Sequence, residues 1–172
     1  EVIASRHAGY AAGDRVMGML GWQEYAVSDG RQITRKVRET DLPLSCSLGV
    51  LGLNGVTAYF ALLEVGAPRP GDTVVVSTAA GAVGATVGQI AKLAGCRTVG
   101  IAGGPEKCAY AVSDLGYAAC IDHRAPDFAE QLQAAVPDRI DGLFENVGGV
   151  PFQRSVARLN DFGSVNYEFE VY

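Results

Sequence analysis

The sequence predicts an α/β fold, a doubly wound parallel sheet preceded by a strand-rich segment. Three observations predict it. Short apolar runs alternate with helical patterns of about ten residues, the mark of βαβ units. A glycine-rich loop, AAGAVG from Ala79 to Gly84, stands between one such run and a helix. The composition, 48% hydrophobic and 19% charged with 22 glycines, is that of a packed α/β chain rather than a disordered one.

Taken in order, residues Glu1 to about Val37 alternate apolar and polar positions, as in EVIAS, DRVMGML and QEYAV, which predicts β-structure. From Leu42 to Val65 the spacing turns helical, with Pro43 suited to a first turn and Gly66 to a helix end. The turn APRPGD leads into Thr73 to Ser77 (TVVVS), a strand apolar on both faces and so buried on both. Helices are then predicted over 85–94, 105–115, 127–135 and 151–159, alternating with strands over 97–102, 119–122 and 142–145. The final run, DFGSVNYEFEVY, is strand-like again.

The formal charge of -5, without a long basic run, leaves no electrostatic footprint for nucleic acid or an anionic membrane. No apolar stretch approaches the roughly 20 residues of a membrane span, and EVIASRHAGY lacks the pattern of a secretion signal. The expectation is a soluble, cytoplasmic protein with a small-molecule partner, no nucleic acid and no membrane. Cys46, Cys96, Cys108 and Cys120 form no CxxC, which suggests reduced thiols rather than a disulfide framework or zinc knuckle. The chain opens in mid-strand and closes on an unpartnered one, so a piece of a longer polypeptide is expected.

The glycine loop has the spacing of G-x-G-x-x-G with alanine first. Gly81 lets the backbone approach a pyrophosphate, Gly84 lets helix and strand pack closely, and the helix N-terminus offers free N–H groups. The alternative is a tight turn with no ligand. An NAD-selective site places Asp or Glu at the tip of the second strand. Here the run is GIAGGPEK: Gly103 and Gly104 leave room, Glu106 falls inside the next helix, and Lys107 reaches back as a point charge. A 2′-phosphate would be repelled by a carboxylate and held by an ammonium, so NADPH is the predicted cofactor. His123 and Arg124 follow the third strand, and His123 reads equally as an adenosine-phosphate contact or as an exposed loop residue. Asn146, in FENVGG, can offer its amide to the nicotinamide ribose or simply make a turn. His7 reads as a surface residue.

The runs GWQEYAVSDG, GVTAYFALLEVG, VVVSTAAGAVGATVGQIAKLAG, GIAGGPEKC and FENVGG together resemble the prostaglandin reductase and NADPH-dependent curcumin reductase branch of the medium-chain dehydrogenase/reductases, as far as about Gly163. The resemblance implies the end of a GroES-like substrate domain over 1–40 and an incomplete Rossmann NADPH-binding domain over 41–172. It implies pyrophosphate contacts at Gly81, Ala82, Val83 and Gly84, a 2′-phosphate contact at Lys107 and a ribose contact at Asn146. His123 stands where the family has an assisting tyrosine. Beyond Gly163 the sequence departs from the family, and Tyr167 receives no catalytic role. The zinc enzymes of the superfamily insert a cysteine-rich lobe after the GDRV strand, whereas Gly13 to Val16 here run directly into MGMLGWQEY, and Leu53 falls where a zinc-ligating cysteine would stand. No metal is expected.

The implied activity is hydride transfer from NADPH to the double bond of an α,β-unsaturated ketone, a small-molecule enone, in a protein that is a homodimer when complete. No catalytic residue is assigned; Tyr59 reads as a neighbour of the nicotinamide or as core. A quinone reductase and a non-catalytic NADPH-binding fragment are the rival readings.

Overall fold

The computed structural model describes residues 1–167, and the run 168–172 lies outside the described residues. The chain divides into two compact units, Glu1–Leu53 and Asn54–Tyr172.

In the first unit, β1 (Val16–Gly18) pairs antiparallel with β2 (Ile33–Lys36). The register shifts between Met17 and Gly18, where a Cβ would lie 2.3 Å from the Gln32 carbonyl. Lys36 bridges Asp14 at 2.7 Å, and Arg35 bridges Glu39 at 2.8 Å. The expected β-structure is thus realised in part. EVIAS and QEYAV form no strand, although Val2 exchanges backbone bonds with Gly13 and Asp14. Alternation describes a face that could be buried, but a strand also needs a neighbour for its N–H and C=O groups.

The continuous helix expected over 42–65 is corrected to three pieces. A 3-10 turn, Leu44–Ser47, is followed by α1 (Leu53–Tyr59), which runs into a π-helical stretch, Phe60–Gly66. Gly52 marks the break: a Cβ there would sit 2.4 Å from the Ser47 carbonyl, so only glycine allows the chain to turn back so tightly. Gly66 does not supply the left-handed helix end either. Ala67 takes that conformation at φ 43, while Gly66 admits Asn166, whose Nδ2 would be 2.5 Å from a Cβ.

The second unit follows the predicted alternation. Strands β3 (Thr73–Ser77), β4 (Arg97–Ala102), β5 (Ala119–Asp122), β6 (Ile140–Glu145) and β7 (Leu159–Tyr167) form one five-stranded sheet in the order β5-β4-β3-β6-β7, all parallel. Helices α2 (Ala82–Leu93), α3 (Pro105–Ser113), α4 (Phe128–Ala135) and α5 (Gly149–Val156) make the connections. Strands β3, β4 and β5 keep the predicted bounds, and the helices shift by one to three residues at their ends.

Two cores explain why β3 is apolar throughout. Val74 and Val76 face Val87 and Ala91 of α2 and Ala111 of α3, while Val75 faces the other way, among Val99, Ile101 and Leu132 of α4. Every β3 residue is therefore buried. Gly88 joins α2 to the sheet: a Cβ would lie 2.2 Å from the ring of Tyr117, whose hydroxyl donates to the Gly84 carbonyl at 2.7 Å. Burial pushes the Tyr117 phenol pKa upward, which keeps it a donor. No helix of the described residues is long and apolar enough to cross a membrane.

Candidate functional site

From β3 the chain crosses to β4 and β5 on one side, and β6 and β7 lie on the other. The order reverses at β3, and the crevice outside the carboxyl ends of strands at such a reversal is where open α/β sheets bind ligands. A cleft of about 280 Å³ lies there.

Its centre is the end of β3. Ser77, Thr78, Ala80 and Gly81 line it, and α2 begins directly afterwards with Gly81 as its N-cap and no side-chain cap. The N–H groups of its first turn have no intrahelical partner and carry the positive end of the helix dipole, which suits an anion. Thr78 sits at φ 51, an unfavourable conformation for a β-branched residue. Its carbonyl accepts the Gly81 N–H at 2.8 Å and would lie 2.3 Å from a Cβ on Gly84. Gly84 therefore does the packing work expected of it. Gly81 does something the sequence did not show, because its missing Cβ leaves room for the Thr78 methyl, 2.6 Å from where that Cβ would be.

On the β4 side, Ala102 and Gly103 form the wall, with Lys107 from α3 and His123 and Arg124 from the loop after β5. The residues that follow β4, Gly103 and Gly104, bring no carboxylate of their own. A Cβ on Gly103 would meet His123 Nε2 at 3.1 Å and the Arg124 guanidinium at 3.3 Å, so glycine leaves room for two basic side chains. Lys107, His123 and Arg124 are all exposed, and among the described residues no ion pair engages Lys107 or Arg124. Asp122 fastens this wall: its Oδ1 accepts the N–H groups of Gly104 at 2.9 Å and Arg124 at 3.0 Å. Those two backbone donors, Arg124 first, hold the Asp122 carboxyl below its ordinary range.

The β6 side is a polar knot. Ser77 donates its hydroxyl to Glu145 Oε1 at 2.9 Å and accepts the Asn146 N–H at 2.7 Å, while Asn146 Nδ2 donates to the Ser77 carbonyl at 2.8 Å. Glu145 Oε1 also accepts the N–H groups of Val147 at 2.6 Å and Gly148 at 2.8 Å. Gly148 and Gly149 both have positive φ, a turn open to glycine and strained for other residues, and α5 begins with Pro151 in its first turn. Val147 and Pro151 close the cleft.

The structure thus brings Gly81, Gly103, Lys107 and His123 into the lining of one cleft, with Ala82, Val83 and Gly84 in the helix start beneath it. Asn146 adjoins the cleft, and one of its amide N–H groups donates to the Ser77 carbonyl. Arg124 shares the wall with His123, and sequence reasoning gave it no role although it noted the residue at the strand's carboxyl end. Ser77, Thr78 and Glu145 were missed altogether; a polar serine closing an otherwise apolar strand was the one signal for the first. Tyr59 is 46% exposed and packs edge-on against Phe60, so it is not core, and it does not line the cleft. His7 is exposed.

Residues 82–167 match the family described as zinc-binding dehydrogenase, and residues 1–36 match the N-terminal domain of oxidoreductase. The chain is 52% identical over 159 residues to an NADPH-dependent curcumin reductase of Escherichia coli (strain K12), covering 92% of this chain and 46% of that protein. It is 41% identical over 167 residues to prostaglandin reductase 1 of Oryctolagus cuniculus, covering 95% and 48%. A crystal structure of CurA from Vibrio vulnificus in complex with NADPH superposes with a TM-score of 0.88 at 49% identity, covering 96% of this chain and 49% of that one. The chain spans about half the length of the curated relatives it matches. Despite the zinc in the family's description, the described residues hold no group of three or more His, Cys, Asp or Glu able to bind a metal, and the residue at position 53 is an exposed leucine.

Proposed function

The chain belongs to the medium-chain dehydrogenase/reductases, in the branch of the curcumin and prostaglandin reductases, and on that premise we propose that it binds NADPH for reduction of the carbon–carbon double bond of α,β-unsaturated ketones. The observation that carries the reading is the meeting, in one cleft, of an uncapped helix start, a β4 end that continues into two glycines rather than an acidic residue, and three basic side chains. The enone class rests on the resemblance to the branch of the curcumin and prostaglandin reductases.

In this reading the first-turn amides of α2 hold the pyrophosphate, with Gly81 to Gly84 forming the cradle. Lys107 and His123 face the 2′-phosphate across the space that Gly103 leaves, and Asn146 steadies the nicotinamide ribose. Bound NADPH supplies the hydride to the β-carbon of the enone. The chain's own part is to place the cofactor, because position and orientation contribute much of the rate in such a transfer. The proposal includes residues 1–40 as the end of a GroES-like substrate domain, 41–172 as the Rossmann domain, a metal-free reaction and a homodimer.

Calorimetric titration tests the cofactor assignment: NADPH binds more tightly than NADH, and Lys107→Ala weakens NADPH by about tenfold to a hundredfold, the range for one charge-assisted hydrogen bond, with little effect on NADH. Equal affinities for the two cofactors overturn it. Cofactor oxidation with an enone against a quinone then tests the substrate class, and faster turnover of the quinone would favour a quinone reductase.

A further inference from the structure

We infer that Glu145 is a positioning residue for the nicotinamide end of the cleft, acting through Ser77 and the Asn146–Gly148 turn; this rests on the NADPH reading above. Glu145 is completely buried at the tip of β6, and its Oε1 gathers three donors, the Ser77 hydroxyl and the N–H groups of Val147 and Gly148. Two of those three residues, Ser77 and Val147, line the cleft directly. Glu145 therefore lies one hydrogen bond behind the wall, where it ties the end of β3 to the turn after β6.

The tie is specific to this side. With the pyrophosphate at the start of α2 and the 2′-phosphate at the β4 and β5 tips, the opposite half of the dinucleotide falls toward β6. None of the hydrogen bonds of Glu145 reaches Gly103, Lys107, His123 or Arg124. Its other oxygen, Oε2, is buried without a hydrogen-bond partner among the described residues. A buried oxygen left unbonded costs stability, so what this side chain contributes lies in the bonds on Oε1 and the turn they shape.

The test compares two ligands, NADPH and 2′-phospho-ADP, which lacks both the nicotinamide ring and its ribose. Calorimetry on the full chain and on Glu145→Ala, Glu145→Gln and Ser77→Ala separates the ends of the cleft. Glu145→Ala and Ser77→Ala weaken NADPH by about tenfold, the order expected when one or two hydrogen-bonded supports are lost, and leave 2′-phospho-ADP within about twofold. Glu145→Gln, whose carbonyl oxygen can accept the same three bonds, stays close to the unaltered chain. Parallel weakening of both ligands marks a purely structural role and overturns the inference, as does an unchanged NADPH affinity. If Glu145→Ala fails to fold, Ser77→Ala decides the outcome on the same two ligands. An unaltered chain that binds neither ligand refutes the cofactor reading itself and the inference with it, whereas one that binds both, with variants that weaken both equally, leaves that reading standing and refutes only the role of Glu145.

Discussion

Two carboxylates fasten the two walls of the cleft, and they do so in opposite surroundings. Asp122, at the tip of β5, is partly exposed and holds two backbone N–H groups in open loops. Glu145, at the tip of β6, is fully buried and holds three donors. When a solvent-facing carboxylate lets go, water replaces it at little cost; donors released around a buried one stay unsatisfied. The difference teaches a division of labour. The β5 wall presents exposed basic side chains and can adjust to a charged group, whereas the β6 wall is fixed in shape.

The largest effect that would break this contrast is expected at Glu145. Glu145→Ala should lower the unfolding free energy by about 3 kcal/mol, from buried donors left without an acceptor, read as a lower urea midpoint at unchanged slope. A loss no greater than that of Asp122→Asn would erase the difference between the walls. Next is Gly88→Ala, which strikes the shared support: its methyl would overlap the Tyr117 ring, and overpacking of this kind costs roughly 2 kcal/mol. Because α2 would supply the proposed pyrophosphate cradle, NADPH and 2′-phospho-ADP should weaken together in that variant, unlike in Ser77→Ala. Asp122→Asn is expected to move the unfolding midpoint little and to weaken NADPH only a few-fold, about two to five, through looser Gly104 and Arg124 loops.

The smallest effect is one of pH. The folded-state pKa of Asp122 is lowered, so the stability it adds is fully present above the ordinary carboxylate range of about 4 and is lost as pH falls through the lowered folded value. The Gly104 and Arg124 amide resonances should therefore hold steady between about pH 8 and 5 and shift only in stronger acid. A titration of these amides near neutral pH would place the controlling group elsewhere.

Much of the second unit was legible in advance. TVVVS could be read as a doubly buried strand because both its faces are apolar, and AAGAVG as a strand-to-helix turn because only small residues fit there. Lys107 and His123 could be placed at the strands' carboxyl ends from chain order alone. The first unit was less readable: EVIAS and QEYAV have the strand period without a paired ladder, and the helix over 42–65 broke at Gly52, where a tight return to the Ser47 carbonyl excluded a side chain.

By itself, then, the sequence determined the alternation of elements, the glycine loop and the cationic character of one strand tip, because each is set by residues close together in the chain. Only the tertiary structure decided that Ser77 would meet Glu145 across 68 positions, that Tyr117 would fill the space left by Gly88, and that Arg124 would share a wall with Gly103. Local periodicity records which face of a strand is buried and not which partner buries it; parallel strands brought together by crossover helices supply those partners, and the assembled sheet is what joins their distant ends into one cleft.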